Sequence, residues 1–541
     1  MTGDVKRGSA AELKRQLHDG GEIALLDARE ERLFHARHLL LASCVPLSRL
    51  ELLVDDLVPR RATRVVWCDD GDGGGDGSAP RAARRMSGLG YTDVAVLEGG
   101  IAAWEAAGYR LYSGVHVPSK AFAEVVEHEA GTPWISAPDL KALIDRGADI
   151  AIFDSRSYEE YHNNSIPTAT SVPGAELVYR FADMVPSPDT TVIVNCGGRT
   201  RSIIGAQALR NAGFRNKIMS LKDGTMAWHL AGFEVVHGAT RRPAEVSEAG
   251  RRAALEAASR VAAASDIRRI DKATLAAWRG ETSRRTLYLL DVRTPEEYRA
   301  GHLAGARSAP GGQLVQETDA HIATWNARVV LVDEDGVRAT MTASWLKQMG
   351  WNDVAVLADD GSGGDWTTGP HVPRVLGLER AAPGAGIGPA ALREGLAAGR
   401  MAVVDLDTSR NYAQGHILGA WFAIRSRLAQ DLAKLPKAEA IVLTSPDGAL
   451  AGLAAADLAT AATAAAPILV LEGGTEAWAK ASLPIETGAS HMASEPVDVV
   501  LSARERGHGR EEAMREYLVW EIDLVNQMTE DDDQRFRVVT G

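Results

Sequence analysis

Short, unbroken apolar runs that end on an aspartate recur four times along the chain: Ala24-Leu-Leu-Asp27, Ala151-Ile-Phe-Asp154, Tyr288-Leu-Leu-Asp291 and Ala402-Val-Val-Asp405. Runs of this kind suit strands of a parallel sheet buried on both faces. Segments with apolar residues at helical spacing precede them, such as Leu140, Leu143 and Ile144. A tryptophan follows each aspartate, Trp104, Trp228, Trp366 and Trp478, at 77, 74, 75 and 73 residues. Before three of them an apolar run meets a glycine-bearing turn, at residues 94–100, 218–224 and 468–474. In the third copy the run is 354–357 and the turn is longer, 358–365. Each unit reads helix, strand, loop, strand, helix, strand, short helix. A spacing kept four times in one chain marks an internal repeat. Repeated βαβ units predict an α/β fold of four domains, each a mostly parallel sheet with helices on both faces.

The expected bounds are 5–112, 134–238, 266–370 and 387–488, followed by a helical tail over 489–541. Candidate linkers are residues 109–133, 232–267 and 370–386, the second with an Ala-rich helical stretch at 248–264. The tail holds an amphipathic segment, 511–528, and then an acid run, 530–533. It reads as a docking helix, either covering the last domain or making an oligomer contact.

Composition narrows the class. The chain has 541 residues, 24% of them charged and 45% hydrophobic, which is globular and suits about three to five domains. Net charge is -13, from 59 basic against 72 acidic side chains, and opposes general nucleic-acid binding. Three cysteines, Cys44, Cys68 and Cys196, build no disulfide framework, and no Cys/His cluster suggests a metal. The polar N-terminal stretch carries no secretory signal, and no run of about 18 apolar residues spans a membrane. A reducing cytoplasm is the expected setting, with no cofactor.

The chemistry concentrates at one place. Residues 192–202 read Val-Ile-Val-Asn-Cys-Gly-Gly-Arg-Thr-Arg-Ser, a strand that ends on a thiol, turns tightly and enters a helix. Cys196 would sit beside a helix N-terminus and the amides of Gly197, Gly198, Arg199, Thr200, Arg201 and Ser202. Such a setting lowers a thiol pKa and stabilises an anion built on sulfur. Cys196 is the candidate nucleophile. Gly197 and Gly198 let the backbone curl, and Arg199 and Arg201 are candidates to hold an anionic substrate by charge-assisted hydrogen bonds. Ser202 reads equally as helix cap and as substrate contact. Tyr179 and Arg180 are candidates to line the pocket. Arg156 recurs as Asp-x-Arg in units without this cysteine, which points to a structural ion pair.

With these motifs the chain resembles a tandem-repeat member of the rhodanese family of sulfurtransferases. The resemblance is carried by the Asp-x-Arg strand ends (Arg29, Arg156 and Arg293, with Asp407 in the fourth copy) and by Gly301-His302-Leu303 and Gly415-His416-Ile417. Leu97-Glu98-Gly99-Gly100, Leu471-Glu472-Gly473-Gly474 and the Cys196 loop complete it. It implies a loop cysteine that alternates between thiolate and persulfide. The donor would be a small anion, thiosulfate first, and the acceptor a thiol, cyanide in an assay, or a protein. His302 and His416, in units without a loop cysteine, read as structural hydrogen bonders.

Only the second unit keeps the loop. Asp333 aligns with Cys196 in the third unit, and Thr444-Ser445-Pro446-Asp447 replaces it in the fourth. In the first, either Cys68 or Asp69 fits the nucleophile position, within an acidic loop (69–76) that would raise a thiol pKa. Cys44 lies in an apolar stretch and reads as a buried, inert thiol. Cysteine phosphatases of related folds need five residues between Cys and Arg. Cys196 reaches Arg201 after four, so that chemistry is disfavoured. Two readings remain: a turnover sulfurtransferase, or a persulfide carrier and scaffold whose other units bind a protein partner or a second copy.

Overall fold

The apolar runs form the central strands of four sheets with one connectivity. The computed structural model describes residues 5–71, 77–358, 365–380, 385–461, 466–529 and 531–540. In the second repeat the strands stand in the order Trp134–Ile135, Ile218–Leu221, Thr191–Asn195, Ile150–Asp154 and Thr170–Ser171. All four pairings are parallel. The third repeat repeats this order with Arg268–Ile270, Val354–Leu357, Arg328–Val332, Leu287–Asp291 and Arg307–Ser308. The fourth does so with Ala385–Ile387, Ile468–Leu471, Ala440–Thr444, Met401–Asp405 and Trp421–Phe422. In the first, Lys6–Gly8, Asp93–Leu97, Arg64–Cys68, Ile23–Asp27 and Ser43–Cys44 follow the same order. Parallel pairing needs crossovers, and helices supply them on both faces.

The strand-end aspartates are tied in place by the arginine two residues on. Arg156 Nε and Nη2 donate to the Asp154 carboxylate at 2.8 and 2.7 Å, and Arg29 and Arg293 repeat the arrangement on Asp27 and Asp291. In the fourth repeat the backbone N–H of Asp407 donates to Asp405 instead, at 2.9 Å. The histidines of the Gly-His turns are structural too. His302 stacks on Tyr298 with centroids 3.7 Å apart and bonds the Tyr298 carbonyl at 2.8 Å. His416 does the same on Tyr412. Ser165, at this position in the second repeat, makes a backbone bridge to Val236.

Three of the four repeat tryptophans are equivalent. Trp104, Trp228 and Trp478 are fully buried, and each Nε1 donates to a carbonyl six residues on. Trp366 departs from the expected pattern. It is 44% exposed and lies on a two-residue strand, Trp366–Thr367, paired with His302–Leu303. Its spacing matches, but the longer turn before it, in which 359–364 lie outside the described residues, delivers it to another place.

The chain divides into two compact units. One comprises Met1–Leu13, Leu25–Gly114 and Pro373–Val500, and the other Lys14–Ala24, Val115–Val372 and Leu501–Gly541. The second unit holds the second and third repeats and three further helices. Within the expected linker 109–133 lies a helix, Val117–Ala130. Glu248–Ala264 forms the expected Ala-rich helix, capped by Ser247. The tail helix Arg510–Thr529 corrects an expectation: it belongs to this unit, not to the last repeat. Its apolar side, Met514, Leu518, Leu524 and Met528, is buried, and Met514 and Leu518 pack with Met226 of the second repeat. The acid run 530–533 follows, of which residue 530 lies outside the described residues.

Candidate active site

Cys196 directly follows the strand Thr191–Asn195 and precedes the helix Thr200–Asn211, the placement its sequence predicts. It is 2% exposed. The thiol donates to Ser202 Oγ at 3.4 Å, and that hydroxyl donates to the Arg199 carbonyl at 2.8 Å. Ser202 therefore touches the sulfur and closes the first helical turn with one atom. The Cys196 carbonyl is held by the N–H and Oγ1 of Thr225, at 2.9 and 2.7 Å. The first-turn amides of Thr200, Arg201 and Ser202 have no acceptor within their own helix, and their dipoles face the sulfur end of the loop.

The other repeats define this cradle by what fills it. Backbone register settles the first repeat: Ala28 N donates to Cys68 O as Ser155 N does to Asn195 O, and Ile101 N donates to Asp69 O as Thr225 N does to Cys196 O. Asp69, not Cys68, stands at the Cys196 position. Cys68 is buried one residue earlier, and burial together with Asp27 and Asp69 pushes its thiol pKa well up. The Asp69 carboxylate accepts from Gly71 N and Ala79 N at 2.9 and 2.8 Å. The rest of the expected acidic loop, 72–76, lies outside the described residues. Asp333 likewise accepts from the amides of Gly336, Arg338 and Ala339 at 2.6, 2.9 and 3.2 Å. In both repeats a carboxylate accepts from loop amides at the place where the second repeat has Cys196. In the fourth, Ser445 Oγ takes the place and accepts from Ala451 N at 3.3 Å.

Neither loop arginine is unengaged. Arg199 is buried and bonds Glu124 Oε1 and Oε2 at 2.6 and 2.7 Å, Asp223 at 2.8 Å, and Glu127 as well. The expectation that it grips a donor is revised: three carboxylates consume its donors, and it anchors the loop. Glu124 and Glu127 come from the helix Val117–Ala130, more than 70 residues upstream, where no local pattern announces the pairing. Burial pushes the Glu124 carboxyl up to about 7, against the pull of Arg199. Arg201 donates to both oxygens of Glu160 at 2.6 and 2.8 Å and to Gln313 Oε1 of the third repeat at 2.9 Å. Burial raises the Glu160 carboxyl, but the charge and hydrogen bonds of Arg201 outweigh it and hold Glu160 at about 2.

Arg180 is engaged as well. It bonds Glu176 at 2.6 Å and the Ala244 carbonyl at 3.0 Å. With Tyr179 it lines a cavity of about 660 Å³ shared by the second and third repeats, which Cys196 does not line.

The residues that sequence reading missed come from the tail and from the expected linker. Thr200 Oγ1 donates to Glu521 Oε1 at 2.6 Å, and Arg504 Nη2 donates to the Gly197 carbonyl at 2.5 Å. A Cβ on Gly197 would lie 2.8 Å from Arg504 Nη2, and one on Gly198 would lie 3.3 Å from the Tyr517 ring and 3.2 Å from Glu521 Oε2. The two glycines thus make room for the tail. Lys120 lies over the rings of Tyr517 and Trp520 at 5.4 and 5.3 Å, and burial lowers its pKa. Burial raises the carboxyl pKa of Glu521. Among the described residues, His18, Asp532 and Asp533 form a group able to hold a metal ion, but Lys14 pairs with both aspartates, and none of the three belongs to the Cys196 loop.

Four parallel α/β repeats, one with a cysteine in its strand-to-helix loop, define the class of rhodanese-like proteins. The rhodanese-like domain model matches residues 9–107, 136–231, 272–362 and 388–481, and the chain belongs to that family. It is similar to a thiosulfate sulfurtransferase from Pseudomonas aeruginosa whose crystal structure superposes with a TM-score of 0.94, at 46% identity, covering 99% of this chain and 100% of that one. It is 33% identical over 111 residues to an HTH-type transcriptional regulator of Mycobacterium tuberculosis, 20% of this chain and 48% of that protein. A putative sulfur carrier protein of Bacillus subtilis is 26% identical over 102 residues, 19% of this chain and 54% of that protein. The chain spans about half the length of these two curated relatives. Among the described residues no helix is long and apolar enough to cross a membrane.

Proposed function

We propose that the chain is a single-site thiosulfate sulfurtransferase working through a Cys196 persulfide. Cys196 thiolate attacks the outer sulfur of thiosulfate, the S–S bond of the donor breaks, and sulfite leaves with the bonding electron pair. The new persulfide carries one negative charge on its terminal sulfur. Cyanide, or in the cell a thiol, then attacks that sulfur and restores the thiolate. This is covalent catalysis in which fixed amide dipoles stabilise charge passing between sulfur atoms.

The observation that carries the reading is the occupancy of the cradle: carboxylates of Asp69 and Asp333 accept from the amide ring in the other repeats, so the ring is built for an anion, and only Cys196 brings a nucleophile to it. The full-length likeness to a thiosulfate sulfurtransferase supports the donor. The test is thiosulfate-to-cyanide transfer on wild type and Cys196→Ser, with intact mass read after donor addition. Wild type should gain one sulfur and turn over, and the variant should do neither. Sulfur uptake without turnover would replace this reading with a carrier that serves a protein acceptor.

A further inference from the structure

An anionic donor needs a cation, and the loop arginines are committed elsewhere. Arg199 is engaged by Glu124, Glu127 and Asp223, and Arg201, whose charge reaches Cys196, has its terminal nitrogens on Glu160 and Gln313. A third guanidinium reaches the loop from 307 residues away in sequence. Arg504 donates to the Gly197 carbonyl at 2.5 Å and to Asn164 Oδ1 at 3.5 Å, both uncharged acceptors. Among the described residues it has no carboxylate partner. Arg156 shares the same Asn164 oxygen at 3.3 Å, so two guanidinium groups converge there; Asp154 is salt-bridged to Arg156, while Glu160 and Asp154 act on Arg504 only through space. A partly buried cation beside a second cation, with no carboxylate in hydrogen-bond contact, is costly unless an anion visits it. Burial, and then the charge of Arg156, lower the Arg504 pKa to about 10, against the pull of Glu160 and Asp154.

The position suits the reaction. Arg504 Nη2 lies 2.8 Å from where a Cβ on Gly197 would be, against the residue that follows the nucleophile. We propose, resting on the sulfurtransferase reading above, that Arg504 is the substrate-binding cation of the site: it takes the sulfonate end of the donor and holds the departing sulfite. The guanidinium fork matches a sulfonate as it matches a carboxylate or phosphate. The tail is thereby part of the active site.

Binding separates this proposal from turnover. Thiosulfate is titrated by calorimetry into full-length Cys196→Ser, which binds without reacting, and into the same chain with Arg504→Gln or Arg504→Lys. Loss of one charge-assisted hydrogen bond should weaken binding about 10-fold or more in Arg504→Gln, with Arg504→Lys intermediate. Equal affinity in all three, or equal loss in both substitutions, overturns the proposal. Thiosulfate-to-cyanide transfer is then measured on the same Arg504 variants carrying Cys196. A rise in KM that exceeds the fall in kcat supports a binding role, and a fall in kcat alone overturns it. If Arg504-dependent binding is found but wild type never forms persulfide, the sulfurtransferase reading fails while the anion site stands.

Discussion

At Gly224 the chain passes closer to the Cys196 loop than any side chain permits. Its φ is +55°, and a Cβ there would fall 2.5 Å from the Cys196 carbonyl oxygen and 2.6 Å from that of Gly198. Gly100 and Gly474 meet the same collision with Asp69 O and Ser445 O, at 2.2 and 2.0 Å, which is why a glycine precedes each buried tryptophan helix. Gly224→Ala should destabilise the chain by about 1–3 kcal/mol and displace the loop, with a matching loss of persulfide formation, read by urea unfolding and intact mass. Glu160 sets an acid limit. Its folded pKa of about 2 lies below the ordinary carboxyl value, so its pairing with Arg201 stabilises above that ordinary value, and the contribution is lost as pH falls toward 2. Glu160→Gln should be less stable than wild type near neutrality, and the difference should narrow between about pH 4.5 and 2. Denaturant midpoints across that range test it, and a constant difference would show that the pair does not titrate there.

Between elements, the second and third repeats exchange partners reciprocally. Arg201 bonds its own Glu160 and reaches Gln313 of the third repeat, while Arg338, at the matching place in the third, bonds its own Glu297 and reaches Glu176 of the second at 2.7 Å. The repeat without a thiol therefore helps hold the active loop. Arg338 is fully buried, and its removal takes from Glu297 its hydrogen-bonded cation and leaves Glu176 with Arg180 alone. Arg338→Ala should cost about 3–5 kcal/mol in a chemical denaturation experiment, far more than a surface arginine would. None of this pairing was legible in sequence. The strands were, because apolar runs ending on aspartate have one use in a parallel sheet, and Cys196 was, because the strand-thiol-glycine-helix order is local. The Ala-rich helix Glu248–Ala264 was legible from its composition. Partners were not. An amphipathic face on Arg510–Thr529 says that the helix docks, not that Met226 and the Cys196 loop receive it. Arg199 looked like a substrate ligand because its carboxylates lie on a helix in what read as a linker.

Across the whole molecule, one of the four cradles carries a thiol, and what fills the others makes a final prediction. In the third repeat the Asp333 carboxylate occupies the amide ring, and burial pushes its pKa up to about 6. Two further carboxylates, Glu334 and Asp335, follow it, where Gly197 and Gly198 follow Cys196. Restoring the thiol alone should therefore not restore chemistry. In a Cys196→Ser background, Asp333→Cys places sulfur in the ring, but burial and the charge of Asp335 raise its pKa and cut the thiolate fraction. The same charges repel an anionic donor, so the two effects multiply. Adding Glu334→Gly and Asp335→Gly removes both, and this triple substitution should load sulfur measurably faster than Asp333→Cys alone. Intact mass after thiosulfate addition reads the result directly. Equal loading by the single and triple substitutions would mean that the acidic loop is not what keeps the third repeat from loading sulfur.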